Sequence, residues 1–198
     1  MSQAISVDPP AQRHKTVHDR PPMLAIGIII WLGSEVMFFS GLFAALFTIR
    51  AHSASWPPPG THLDTVQAGI FTLILVSSSF TMWRAVTHEE YGNRRGTRIW
   101  IGITLALGAM FLGNQMYEWI TQTTRPQTNA YGSIFFITTG LHGLHVFIGL
   151  IAMIFLLGRL KGKAGDPGEL SVLQGVSYYW HFVDVVWIGL YSCLFLLK

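Results

Sequence analysis

Two histidines three residues apart, His142 and His145, and a His181–Asp184 pair with the same spacing lie inside long apolar runs of the sequence. On a helix such residues share a face, so each pair could present two donors to one site. Neutral imidazole and carboxylate suit zinc, copper or iron, which makes a metal site one reading. Interhelical hydrogen bonding is the simpler one, because a polar side chain in an apolar span faces the protein interior and needs a partner there. A haem reading is weaker. His142 or His145 facing His181 could supply two axial ligands. Two stacked haems, however, want histidines well separated along each helix, and these three form two tight clusters. The other histidines, His14, His18, His52, His62 and His88, fall in predicted tails or loops.

Glu35 stands alone in WLGSEVMFFSGLF, a single carboxyl among aromatics with no basic residue beside it. It reads either as a proton-exchanging or partner-facing carboxyl, or as a protonated acid hydrogen-bonded to a neighbouring helix. Asp184 has nearer candidates: His181 one turn before it, or His142 or His145 across a helix contact. Asn114, Gln115 and Glu118 make a further polar face suited to interhelical hydrogen bonds.

The elements that position these groups follow from composition. Hydrophobic residues make up 51% of the 198, charged residues only 12%, and the mean hydropathy is +0.42. That is too little polar surface for water, so the chain is read as an integral membrane protein. Five apolar stretches stand out, at Met23–Ile49, Val66–Thr87, Arg98–Thr121, Tyr131–Gly158 and Gln174–Leu197. Each exceeds the ~20 residues that cross ~30 Å of hydrocarbon. They are continuously apolar and lack the alternation of barrel strands. The expected fold is therefore all-α, one five-helix transmembrane bundle over 23–198 after a polar tail at 1–22. The first stretch is too long for a cleavable signal, and no small-residue cleavage motif follows it, so it is expected to be retained.

Ten of the thirteen Lys and Arg residues fall on the N-terminal side of such a bundle, and Arg50, Arg125 and Lys198 on the other. By the positive-inside rule the N-terminus is cytoplasmic and the C-terminus external. This bias explains a pI of about 9.2. No basic stripe with stacking aromatics points to nucleic acid. Short loops leave no room for a catalytic domain outside the membrane. Trp56 with Pro57, Pro58 and Pro59 is expected to form a stiff interfacial corner. Cys193 is the sole cysteine, which excludes an internal disulfide. In this arrangement Glu35, His142, His145 and Asp184 fall near the membrane centre. His181 lies about one turn to the cytoplasmic side, and Glu118 within about two turns of the external end of the third helix. Gly132, Ser133, Gly140, Gly143 and Gly149 let neighbouring helices approach the fourth.

LHGLHVFIGL, SYYWHFVDVVWIGLY, SEVMFFSGLF, YGSIFF, QMYEW and WPPPG, in their order along the chain, resemble subunit III of the haem–copper cytochrome c oxidases over residues 21–197. The likeness is closest to the short bacterial form with five helices. It implies a multi-pass subunit of the bacterial plasma membrane that binds no haem or copper itself. It would pack against catalytic subunit I and subunit II of a proton-pumping terminal oxidase fed by cytochrome c. By this resemblance Glu35 matches the buried, carbodiimide-reactive glutamate of the family's SEVFFF-type motif. The family's roles are sustaining proton uptake, holding structural phospholipid and protecting the catalytic subunit from turnover inactivation. Glu118, His142, His145, His181 and Asp184 match motif positions as intramembrane polar contacts, not as metal ligands. The two helices that precede the SEV helix in the long form are missing, and they build one wall of its lipid-holding cleft. A bound phospholipid would then need that wall from a neighbouring subunit. Within the family, subunit III of a quinol oxidase or a relative serving a nitric oxide reductase are the alternatives. A stand-alone proton channel or metal-binding membrane enzyme is the alternative from another class.

Overall fold

With no water in hydrocarbon, a spanning segment must satisfy its backbone hydrogen bonds internally, and the apolar stretches do so as helices. The structure, a computed structural model, describes residues 23–53, 55–58, 64–122, 126–127, 129–160 and 166–197. The polar tail 1–22, Pro59, Gly60, His62, Arg125, Lys161, Lys163 and Lys198 lie outside the described residues. Among the described residues five helices are long and apolar enough to cross a membrane. They are α1 (Met23–Ala51), α2 (Thr65–Glu90), α3 (Arg94–Thr121), α4 (Ala130–Arg159) and α5 (Pro167–Tyr191). The last continues into one π-helical turn, Ser192–Leu196.

Helix starts are set by caps, which hydropathy does not see. The side chains of Asp64, Asn93, Asn129 and Asp166 accept from the first free N–H groups of α2, α3, α4 and α5. This is why α3 begins at Arg94 instead of Arg98, and α5 at Pro167 instead of Gln174, with proline in the first turn where its missing N–H is harmless. At its other end α2 runs to Glu90, so His88, expected in a loop, sits in its last turn, where its ring stacks at 6.4 Å on Trp100. Trp56 lies edge-on to Tyr131 at 4.7 Å, and the Trp56–Pro57 peptide bond is cis.

Helix α5 is the hub, packing against α1, α2 and α4, while α3 lies against α2 and α4. Its buried face carries Trp180 and Trp187, each donating its indole N–H to a hydroxyl of α2. Trp180 reaches Ser78 Oγ at 2.8 Å and Trp187 reaches Thr72 Oγ1 at 2.9 Å. Thr81 and Thr104 join α2 to α3 at 2.7 Å. Helix α1 is the least enclosed, with only Phe39 and Leu46 buried among its large side chains.

Close approach uses fewer of the expected small residues than α4 offers. A Cβ on Gly149 would lie 2.9 Å from the Trp180 ring and 3.3 Å from Tyr179, whereas one on Gly143 meets only Leu112 at an ordinary 3.7 Å. Trp180 cannot retreat without breaking its bond to Ser78. Gly149→Val is therefore expected to destabilise by about 1–3 kcal/mol, read as a lower unfolding midpoint of the solubilised protein. Gly143→Ala should leave the midpoint unchanged.

Candidate functional site

Helix packing turns the isolated carboxyl of α1 into half of a pair. Glu35 Oε2 lies 3.2 Å from His145 Nε2 on α4, which supplies the basic partner that α1 lacks in sequence. The second ring nitrogen, Nδ1, is 2.7 Å from the carbonyl oxygen of Leu141 one turn earlier. A carbonyl only accepts, so Nδ1 carries a proton. Two arrangements then remain at Nε2: a lone pair receiving a proton from the Glu35 carboxylic acid, or a second N–H donating to the Glu35 carboxylate. In both, one proton is held between Glu35 and His145.

The surroundings fix this geometry. Phe39 meets the His145 ring edge-on at 5.0 Å. Tyr179 donates its hydroxyl to the His145 carbonyl at 2.9 Å, and Trp31 stacks on Tyr179 at 5.4 Å. The side chains are 20% (Glu35) and 12% (His145) exposed, so the pair opens on the outer surface of this chain and does not lie sealed inside it.

A second polar group joins α2 to α5. Ser79 donates its hydroxyl to Asp184 Oδ2, and its Oγ lies 2.8 Å from His181 Nδ1. Asp184 is buried, whereas Ser79 and His181 are half-buried. The sequence left Asp184 to pair with His181, or with His142 or His145. The structure instead puts Ser79 between His181 and Asp184. Nothing marked Ser79 beforehand, since within SSS it reads as one more small packing residue. Its place near the middle of α2, at the depth of His181 on α5, was the available signal.

The shared spacing of His142 and His145 does not make a joint site. His145 turns to α1, while His142 is fully buried, stacked on Trp187 at 4.8 Å with Phe111 edge-on at 6.0 Å. Among the described residues no three of His, Cys, Asp and Glu converge as metal ligands. The polar face of α3 divides as well. Asn114 accepts from Gln67 Nε2 of α2 at 2.6 Å, and Gln115 is buried. Glu118 lines a cavity of about 210 Å³ with Asp64, Gln67, Tyr117, Thr121 and Gln122. Glu118 thus stands apart from both mid-depth groups, at the end of the bundle where α3 stops.

Residues 11–197 match the family described as Cytochrome c oxidase subunit III. The chain is 47% identical over 184 residues to a Nocardia farcinica protein named "Probable cytochrome c oxidase subunit 3", covering 91% of each. It is 41% identical over 205 residues to the Cytochrome c oxidase subunit 3 of Corynebacterium diphtheriae, covering all of both. It is 40% identical over 185 residues to that of Thermostichus vulcanus, covering 91% of this chain and 90% of the relative. A match of this extent, joined to five membrane-spanning helices, means that the chain belongs to the cytochrome c oxidase subunit III family and is a subunit III of a haem–copper oxidase.

Proposed function

We propose that this chain is the non-redox subunit of a proton-translocating cytochrome c oxidase in a bacterial plasma membrane, packed against the catalytic subunit I and subunit II. Haem and copper reside in those partners, and cytochrome c is the donor to the complex. The N-terminus faces the cytoplasm, by the distribution of Lys and Arg. The Glu35–His145 pair supports a role in proton uptake: it holds one proton at mid-membrane depth and opens on the outside of the chain, where a partner would lie. A carboxyl and an imidazole in hydrogen-bond contact exchange a proton without leaving a bare charge in hydrocarbon.

An apolar groove of about 270 Å³ between α1, α4 and α5, lined by Leu24, Ile28, Trp31, Ile148, Val176 and Tyr179 among others, has the shape and chemistry for an acyl chain of a structural phospholipid.

Glu35→Gln tests the proton role. The amide fills the same space and can still donate to Nε2, but it cannot release a proton. The variant oxidase is expected to keep its full haem content while its protons pumped per electron fall, or its active lifetime in turnover shortens severalfold. Unchanged turnover, pumping and lifetime would refute the role given to Glu35.

A further inference from the structure

The outer face shared by α2 and α5 has a polar centre where a lipid-facing surface should have none. The Ser79 hydroxyl has one proton, which goes to Asp184 Oδ2 when Asp184 is ionised, or to His181 Nδ1, 2.8 Å away, when the Asp184 carboxyl keeps its proton and donates it to Ser79. In the first arrangement Nδ1 bears the imidazole N–H and Nε2 is a lone-pair acceptor; in the second Nε2 bears the N–H. Either way Nε2 is left with one hydrogen bond to make. Among the described residues nothing bonds to it, and the His181 side chain is half-buried.

Depth decides what can answer that nitrogen. Ser79 lies near the middle of the span Thr65–Glu90, and His181 near the middle of Pro167–Leu196. About 15 Å of hydrocarbon separates such a position from either head-group layer, so a phospholipid head group does not reach it and acyl chains offer no hydrogen bond. The rest of the face is apolar and prominent. Tyr178 and Val185, three before and four after His181, are 42% and 66% exposed, and Val76 and Trp83 flank Ser79 on α2 in the same way. A Ser–His pair at this depth is suited to an interhelical hydrogen bond with another packed helix.

We infer that this face is a docking surface for a transmembrane helix of another oxidase subunit, which places a hydroxyl or carboxamide side chain, able to donate or accept, on His181 Nε2. The inference rests on the reading of the chain as a subunit packed in an oxidase complex. Asp184 and Ser79 act as positioning residues: the Asp184 carboxyl orients the Ser79 hydroxyl, and the hydroxyl holds Nδ1 and leaves Nε2 as the ring nitrogen still to be paired.

The test replaces Val185 with photoreactive p-benzoylphenylalanine in cells making the whole oxidase, irradiates their membranes and maps the adducts by mass spectrometry. The expected adduct joins this chain to a transmembrane segment of another oxidase subunit. Adducts with lipid or a second copy of this chain alone, or no protein adduct, while the chain still co-purifies with a haem-bearing partner, would overturn the docking surface and leave the subunit reading intact. Failure of the unsubstituted chain to co-purify would overturn both. In parallel, His181→Leu should lose at least half of this chain from the purified complex after a detergent wash. His181→Gln, whose carboxamide can accept or donate near the place of Nε2, should retain it. Equal retention of the two variants would contradict the bond to Nε2.

Discussion

Replacing Arg94 with methionine is expected to destabilise the bundle by about 3–5 kcal/mol, because it takes a charged partner away from a buried carboxylate. Glu89, in the last turn of α2, is fully enclosed, and Arg94 Nη1 meets its Oε1 at 2.9 Å across the tight turn into α3. The other terminal nitrogen of Arg94 binds Glu169 in the first turn of α5, and Thr97 donates to Glu89 Oε2 at 2.9 Å. One guanidinium thus ties three helices together at the end of the bundle where α2 turns into α3. A lysine could not serve two carboxylates in this forked geometry. The expected result is a large fall in the unfolding midpoint of the solubilised protein for Arg94→Met. A much smaller fall is expected for the double variant Glu89→Gln/Arg94→Met, which also removes the charge of the buried carboxyl. Equal falls would show that lost packing, not the altered charge balance at Glu89, sets the effect.

Trp180→Ala is expected to be comparably severe, at about 3–5 kcal/mol. Trp180 is fully buried on the hub helix, and its ring packs directly over the backbones of two other helices. A Cβ built on Gly108 of α3 would lie 2.7 Å from it, and one on Gly149 of α4 would lie 2.9 Å from it. Between spans, helices are held by packing and hydrogen bonds instead of by exclusion from water. A void at this crossing removes contacts from α2, α3 and α4 together and also the indole bond to Ser78. Trp180→Phe keeps most of the ring and should lose far less than half as much. The check is the thermal stability of each variant in detergent, together with the fraction of chain recovered in folded form.

Sequence and structure divide their information by direction. Along the chain the sequence is explicit: the spans, their number and the mid-depth placing of Glu35, His145 and Asp184 follow from hydropathy and helical rise. Across the chain it is nearly silent, because the rotation of each helix about its axis is set by how tryptophans and glycines mesh. His142 and His145 share a spacing, yet one is stacked on Trp187 and the other paired with Glu35. Ser79 looks like its neighbours in SSS, yet it carries the contact between α2 and the His181–Asp184 turn. Polar residues near the span ends were legible only as punctuation. That Arg94 also reaches Glu169 depends on a contact between segments far apart in sequence, whereas the caps that carry α3 and α5 beyond their apolar stretches are local bonds that hydropathy does not register. The oxidase resemblance lay in the order of whole motifs, which record these packing solutions without revealing them one by one.

The most direct test is to tag this chain, solubilise its native membrane in mild detergent, and purify what it holds. A reduced-minus-oxidised spectrum would then be recorded and the subunits identified. The proposed role predicts haem bands arriving with a large multi-helix partner, and oxygen uptake driven by reduced cytochrome c. A chain that purifies alone and colourless from an otherwise intact, haem-containing membrane would contradict it.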